Sequence, residues 1–424
     1  MRLDRTATPV TVVPSPHHGG LGITRTLGRL GIEVFNVDGE RWCPAFFSRY
    51  CKGRLVHDLD AATERESVEA LVALARRIGA RSILVPTTDG AARLIADSAE
   101  ALRRHFIFPP QPPELIRALL SKKEMLELAR RHGILAPAAV FPQNRAELLE
   151  APDHLGLPLI VKGVRGDTWA RTSRSKVLVR SRAQFRALCD LLPDAVVAEL
   201  MVQEYIAGKE DTVWMFNGYF DARSNCRAAF TGRKLRQCPA YAGVASLAAA
   251  EKNPAVEDAA EMFMKSVGYC GIADIDFRYD ARDGRYKILD VNPRVGSTFR
   301  LFVSEDGMDV VRAMYLDLTG QDIPASPQRA GRKWMVEDLD VAAAWGYARE
   351  NSLGFIDWLK SLQGVDELSF FAWDDPVPVA LMLLADLREL CSRSRLRARR
   401  IPPFYPKSPA APARKPPAYE HSRN

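Results

Sequence analysis

Residues 285–300 read "RYKILDVNPRVGSTFR". Positions 288–292 alternate apolar and polar residues with the period of two that a strand imposes. The polar members, however, are Asp290 and Asn292, residue types depleted in strands. The run then breaks on Pro293, just before a cation, Arg294. Upstream, "ADIDF" (273–277) repeats the pattern with Asp274 and Asp276 on one face. The Asp283-Gly284 turn between the two runs predicts an antiparallel hairpin. Such a hairpin would converge three or four hard oxygen donors, a set that suits Mg²⁺ or Mn²⁺ bound together with phosphate. Arg294 is spaced to hold a phosphate or acyl-phosphate oxygen. Spacing alone leaves an alternative open: a solvent-facing hairpin whose acids are simply hydrated.

A second cluster lies at 159–176. Lys162 ends the apolar run Leu159-Ile160-Val161 and precedes a loop holding Gly163, Gly166, Thr168, Thr172 and Ser173. Small and hydroxyl residues let backbone amides approach phosphates. The loop is also cationic, with Arg165, Arg171, Arg174 and Lys176. A surface lysine at a strand end is the competing reading.

Composition sets the frame for both clusters. A chain of 424 residues, 47% hydrophobic and 26% charged, predicts a globular protein of two or three domains. The seven cysteines are scattered without a C-x-x-C pair, which argues against a disulfide framework and against a zinc site. The net charge of +7 is concentrated beyond residue 392, where nine Lys/Arg accompany one acid. The remaining body is close to neutral, so no basic nucleic-acid-binding face is expected. The apolar run 377–385 falls far short of the ~20 residues that span a bilayer. Together these features suggest a cytoplasmic protein without a transmembrane segment.

Along the chain, residues 9–38 read as a strand, a glycine-opened helix and a second strand. Gly20-x-Gly22-x-x-Arg25 lacks the third glycine of a dinucleotide fingerprint. The glycines fit a tight turn better, with helix N-terminal amides facing an anion. His17 and His18 beside that turn are candidate substrate contacts. Helices are expected at 65–78, 90–102, 121–134 and 254–267, and a strand at 82–88. The prolines of "FIFPPQPPE" (106–114) mark a boundary. Trp334 and Trp345 are expected in the core, while Glu337, Asp338 and Asp340 fit a solvated helix start. The Arg- and Pro-rich stretch 393–424 has the composition of a disordered tail.

Taken in order, these residues resemble the ATP-grasp superfamily, of the type that joins a carboxylate to an amine, over residues 10–320. "LDVNPR" matches the acid-x-Asn-Pro-Arg of its last metal strand. The resemblance implies mixed α/β and α+β architecture. It places a Rossmann-like pre-ATP-grasp domain at 1–110, a lid lobe at 111–200, a metal-binding lobe at 201–320 and a C-terminal helical extension at 321–392. It implies ATP as cosubstrate, with Asp276, Asp290 and Asn292 holding Mg²⁺ (or Mn²⁺). Lys122 and Lys162 would meet the phosphates, and Gln203, Glu204, Tyr205 and Ile206 of "VQEYIAGKE" the adenine. Glu210 would bind the ribose, and either Arg233 or Lys234 would reach the triphosphate. Lys162 and Arg294 would act on the transferred phosphoryl group, and Ser297, Thr298 and Arg300 could contact the acid. Two departures stand out: Ser121 where the family often has Asp, and Trp169 with several arginines in the phosphate loop.

The implied reaction is amide formation between a small-molecule carboxylate and amine through an acyl-phosphate. The same site could serve phosphoryl transfer, thioester formation or non-catalytic ATP binding. A homodimer also stays open.

Overall fold

The computed structural model describes residues 4–164, 176–208, 212–241, 243–349 and 352–396. Glu210 and the loop from Arg165 to Arg174 lie outside the described residues. Strand β1 (Val10–Val13) is buried along its whole length, as a parallel strand covered on both faces should be. With β2 (Val34–Asp38), β3 (Cys51–Val56), β4 (Ser82–Pro86) and β5 (Phe106–Ile107) it forms a parallel sheet of order β3-β2-β1-β4-β5. Its helices are α1 (His17–Gly28), α2 (Glu64–Ile78), α3 (Asp89–Asp97) and α4 (Ala99–Leu102). A Thr63–Glu66 capping box starts α2, and Gly79 at φ 76° ends it. The single helix expected over 90–102 is broken at Ser98 into α3 and α4.

Helix α1 begins at His17, ahead of its glycines rather than after them. A Cβ on Gly20 would lie 2.5 Å from the Ser15 Cα, so the β1–α1 turn closes too tightly for a side chain there. Arg25, at the third fingerprint position, is buried and clamped elsewhere, as described below.

Two helices follow, α5 (Pro113–Leu120) and α6 (Lys122–Arg131), the second capped by Ser121 and stopped before Gly133 at φ 72°. Next come β6 (Ala139–Val140), α7 (Arg145–Leu155), β7 (Leu159–Gly163), β8 (Lys176–Val179), α8 (Arg182–Leu191) and β9 (Leu200–Glu204). Their strands make an antiparallel sheet of order β6-β9-β7-β8 with its own small core.

The largest sheet is built from β10 (Val213–Phe220), β11 (Cys226–Cys238) and β12 (Val244–Ala250), followed across α9 (Pro254–Ser266) by β13 (Gly271–Asp280) and β14 (Arg285–Asn292). After α10 (Val310–Leu318) come β15 (Lys333–Met335), α11 (Glu337–Arg349), α12 (Phe355–Ser361), β16 (Val365–Leu368) and α13 (Val377–Leu396). The strand order is β14-β13-β10-β11-β12-β15-β16. The segment after residue 320 is therefore not only helical, because it extends the sheet by two strands. Trp334 is buried as expected, but Trp345 is 65% exposed. The chain divides into the units Met1–Met382 and Leu383–Asn424, the described part of the second being the end of α13. Among the described residues no helix is long and apolar enough to cross a membrane.

A buried ion pair fastens the loop after β16 to α1 and to the segment before β3. Asp375 accepts hydrogen bonds from Arg25 Nε (2.9 Å), Ser48 Oγ (2.7 Å) and the Arg49 amide (2.9 Å). Arg25 also donates to the carbonyls of Ser369, Phe370 and Asp375. Removing one partner of such a pair leaves the other charge buried without compensation. Asp375→Ala is expected to cost about 3–5 kcal/mol of folding stability in a denaturant titration; a cost below about 1 kcal/mol would show that the clamp does not hold the fold.

Candidate active site

The β13–β14 register places Asp276 directly opposite Asp290 and Asp274 opposite Asn292, so the four polar residues share one face of the hairpin. Like charges directly opposite across a ladder destabilise it unless cations face them. Those cations are present. Burial pushes the Asp290 carboxyl up, but Lys122, Lys162, Lys176 and Arg294 outweigh it and hold the group below its usual range. Asp274 lacks that balance; burial and the Asp276 charge push it up to about 6. A Cβ on Gly296 would strike the Asp274 carboxyl at 2.3 Å, so the "RVG" turn folds directly over that acid.

Across the cleft, Lys162 on β7 pairs in register with Lys176 on β8. Desolvation lowers Lys162 to about 7 despite the pull of Asp290. Lys176, more open to solvent, is lowered to about 8 for the same first reason. Lys176 belongs to the site and not only to the cationic loop, because hairpin closure brings it opposite Lys162. Lys122 begins α6, close enough for its charge to act on both Lys162 and Asp290.

The structure separates the two candidates on β11. Lys234 is buried and donates to Asp276 Oδ2 at 2.6 Å. Arg233 points to the other side of the strand, where Nε donates to Glu251 at 2.8 Å. Arg233 therefore stands outside the cleft. Arg294 donates to Asn292 Oδ1 (3.0 Å) and Asp89 Oδ1 (2.8 Å), so it touches the acid face itself. Arg300 does not reach a substrate position: Glu367, Asp309 and Thr26 engage its guanidinium.

At the hinge end, Gln203, Glu204, Tyr205 and Ile206 all line the cleft. The Gln203 Nε2 atom is buried and unpartnered among the described residues. The Glu204 carboxylate is already used, accepting from the Ala138 amide (2.9 Å) and Arg282 (2.8 Å). Arg278, on the same face of β13 as Asp276, lies 4.7 Å over the Tyr205 ring and donates to its hydroxyl and to the Gly208 carbonyl. Nothing in the sequence pattern marked Arg278.

Magnesium fits this donor set only as a shared ion. Among the described residues no group of three His, Cys, Asp or Glu could hold a metal alone. Two opposed carboxylates and an asparagine amide are the set that binds Mg²⁺ through one or two acids plus ligand phosphates. The lysines opposite supply the complementary charge for such phosphates.

No model of a known protein family matches the chain. The D-aspartate ligase of Enterococcus faecium (strain Aus0004) is 23% identical over 240 residues, 54% of this chain and 57% of that enzyme. The match thus spans little more than half of the curated relative. Among solved structures, the N5-carboxyaminoimidazole synthetase of Staphylococcus aureus complexed with ADP superposes with a TM-score of 0.59 at 14% identity, over 78% of this chain and 82% of that one. The biotin carboxylase domain of the Hydrogenobacter thermophilus 2-oxoglutarate carboxylase, solved with MgADP and bicarbonate, gives 0.58 at 16% identity, over 78% and 74%.

Because protonated Lys162 is disfavoured in the fold, the unfolded chain binds more protons between about pH 7 and the ordinary lysine range, and stability rises with pH there. Lys162→Met is accordingly expected to raise the melting midpoint of the ligand-free protein at pH 6.5 by about 2 °C, while ADP binding is lost. A lower midpoint would contradict the desolvation account.

Proposed function

From the ATP-grasp fold of this chain we propose that it is an ATP-dependent carboxylate–amine ligase. One observation carries the reading: Asp276 and Asp290 paired in register on one wall of a cleft, and Lys162 and Lys176 paired in register on the other. A polyanion carrying a divalent cation complements both walls at once.

In this reading Gln203 and the backbone of 204–206 hold the base. Lys122, Lys162, Lys176 and Lys234 hold the phosphates, with Lys234 moving from Asp276 to a phosphate oxygen. Asp276, Asp290 and Asn292 would hold the Mg²⁺, which would supply charge neutralisation for the phosphates. The substrate carboxylate attacks the γ-phosphorus, ADP leaves, and an acyl-phosphate forms. An amine then attacks the acyl carbon and phosphate leaves, giving the amide. Arg294 faces Asp89 in a half-open pair of small intrinsic strength, so the transferred phosphoryl group can capture it as negative charge develops. No side chain is needed as a nucleophile.

The acid has a natural seat at the N-terminus of α1. Its first amides carry no side-chain cap, and Gly19 lies against Ser297. The hydroxyl of Thr298, next in the chain to Ser297, is buried without a partner among the described residues. His18 meets the rings of Trp334 and Phe370, toward β15 of the seven-stranded sheet. The D-aspartate ligase makes amino acids the first carboxylates to assay.

ADP and phosphate are expected in equal amounts only when carboxylate, amine and Mg²⁺ are all supplied, with the amide identified by mass. Asp290→Asn is expected to lower kcat by at least about 100-fold with an unchanged circular dichroism spectrum. Full turnover in that variant, or a phosphorylated or thioester product, would overturn the assignment.

A further inference from the structure

Tyr241, a cleft residue just beyond β11, is held from behind by the segment after β15. Arg236 lies between it and Lys234 in a register irregularity of the β11–β12 ladder. It makes a fully buried bidentate pair with Asp340 at 2.7 and 2.9 Å. Asp340 also accepts from Ser246 Oγ and Trp358 Nε1, and Ser361 Oγ accepts from Arg236. Glu337 accepts from the amides of Ser369, Phe370 and Phe371. The acids expected at a solvated helix start thus include two structural anchors.

Tyr241 is the more telling case. Its φ of 67° is a left-handed conformation that costs a non-glycine residue free energy. Gly243 beside it has no room for a side chain, since a Cβ would lie 2.0 Å from the Cys238 carbonyl. The Tyr241 amide donates to the Tyr347 hydroxyl at 3.3 Å, and the two rings meet edge to face at 5.2 Å. The Tyr241 hydroxyl reaches Ser352 Oγ at 3.2 Å. The ring also meets the guanidinium of Arg180, just past β8, at 5.6 Å. Tyr241 lines the cleft, whereas Tyr347 and Ser352 do not.

We infer that the segment spanning α11 and α12 is a nucleotide-positioning element, in which Tyr347 and Ser352 hold Tyr241 in its strained conformation as the outer wall of the cleft and as the surface on which Arg180 of the β7–β8 sheet closes. Tyr347 and Ser352 are positioning residues, acting through Tyr241. The inference rests on the nucleotide reading of the cleft, and its test separates the two.

The test measures Mg-ADP affinity by calorimetry and the ATP dependence of turnover for the wild type, Tyr347→Phe and Ser352→Ala. Tyr347→Phe keeps the ring contact and removes the acceptor of the strained amide. Loss of one such hydrogen bond corresponds to about a fivefold weakening of Mg-ADP and an equal rise in KM for ATP, with kcat and the melting midpoint held. Ser352→Ala is expected to shift KM in the same direction. Wild-type affinity in both variants overturns the inference alone, as does a lowered midpoint with unchanged KM, which would show a merely structural role. Failure of the wild type to bind Mg-ADP overturns the nucleotide reading and this inference with it.

Discussion

Two carboxylates, Asp276 and Asp290, face each other across neighbouring strands at the floor of a cleft. Nothing about strand packing favours that arrangement. It is tolerated because Lys234 bonds Asp276 and because cations from three other elements act on Asp290. The cations are not at ease either: Lys162 is desolvated enough to lose most of its preference for the charged form. The acid half of the cleft is compensated only by these cations, and the lysine half is left with charge that burial disfavours. A bound polyanion satisfies the lysines, and its own divalent cation replaces them at the acids.

The rest of the architecture keeps those charges in register. The acids sit on a seven-stranded sheet and the paired lysines on a separate four-stranded sheet. The "RVG" turn folds over Asp274 where only glycine fits at 296. Helix α1 of the first layer is fastened to the same body through Arg25 to Asp375 and through Thr26 to Asp309 and Arg300. Strength is spent there on buried ion pairs whose geometry is bidentate or multiply satisfied, the form in which such pairs hold an arrangement.

Much of the site was legible in the sequence because strand periodicity is short and strict. Once "ADIDF" and "LDVNP" are read as strands, the shared face of Asp274, Asp276, Asp290 and Asn292 follows, and the register confirms it. The same alternation guarantees that Arg233 and Lys234 part company, but not which of them faces the cleft. That depends on the pairing of β11 with β10, a non-local fact. Lys176 belonged to the site through its register with Lys162, across a loop too long for turn rules. Arg300 looked available beside Ser297 and Thr298 because its partners lie far along the chain, at Glu367 and Asp309. The segment after residue 320 was read as helical since β15 and β16, of three and four residues, are too short to show a period. Asp340, read as solvated, is fully buried because its partner Arg236 is a hundred residues away.

The central claim is that the acid pair and the lysine pair together form one magnesium-nucleotide site. Calorimetric titration of the wild-type protein with ADP, in the presence of Mg²⁺ and again in its absence, tests it most directly. The account predicts binding that tightens by at least about tenfold with Mg²⁺, or about 1.4 kcal/mol. Equal affinity in both titrations, or no binding in either, would contradict it.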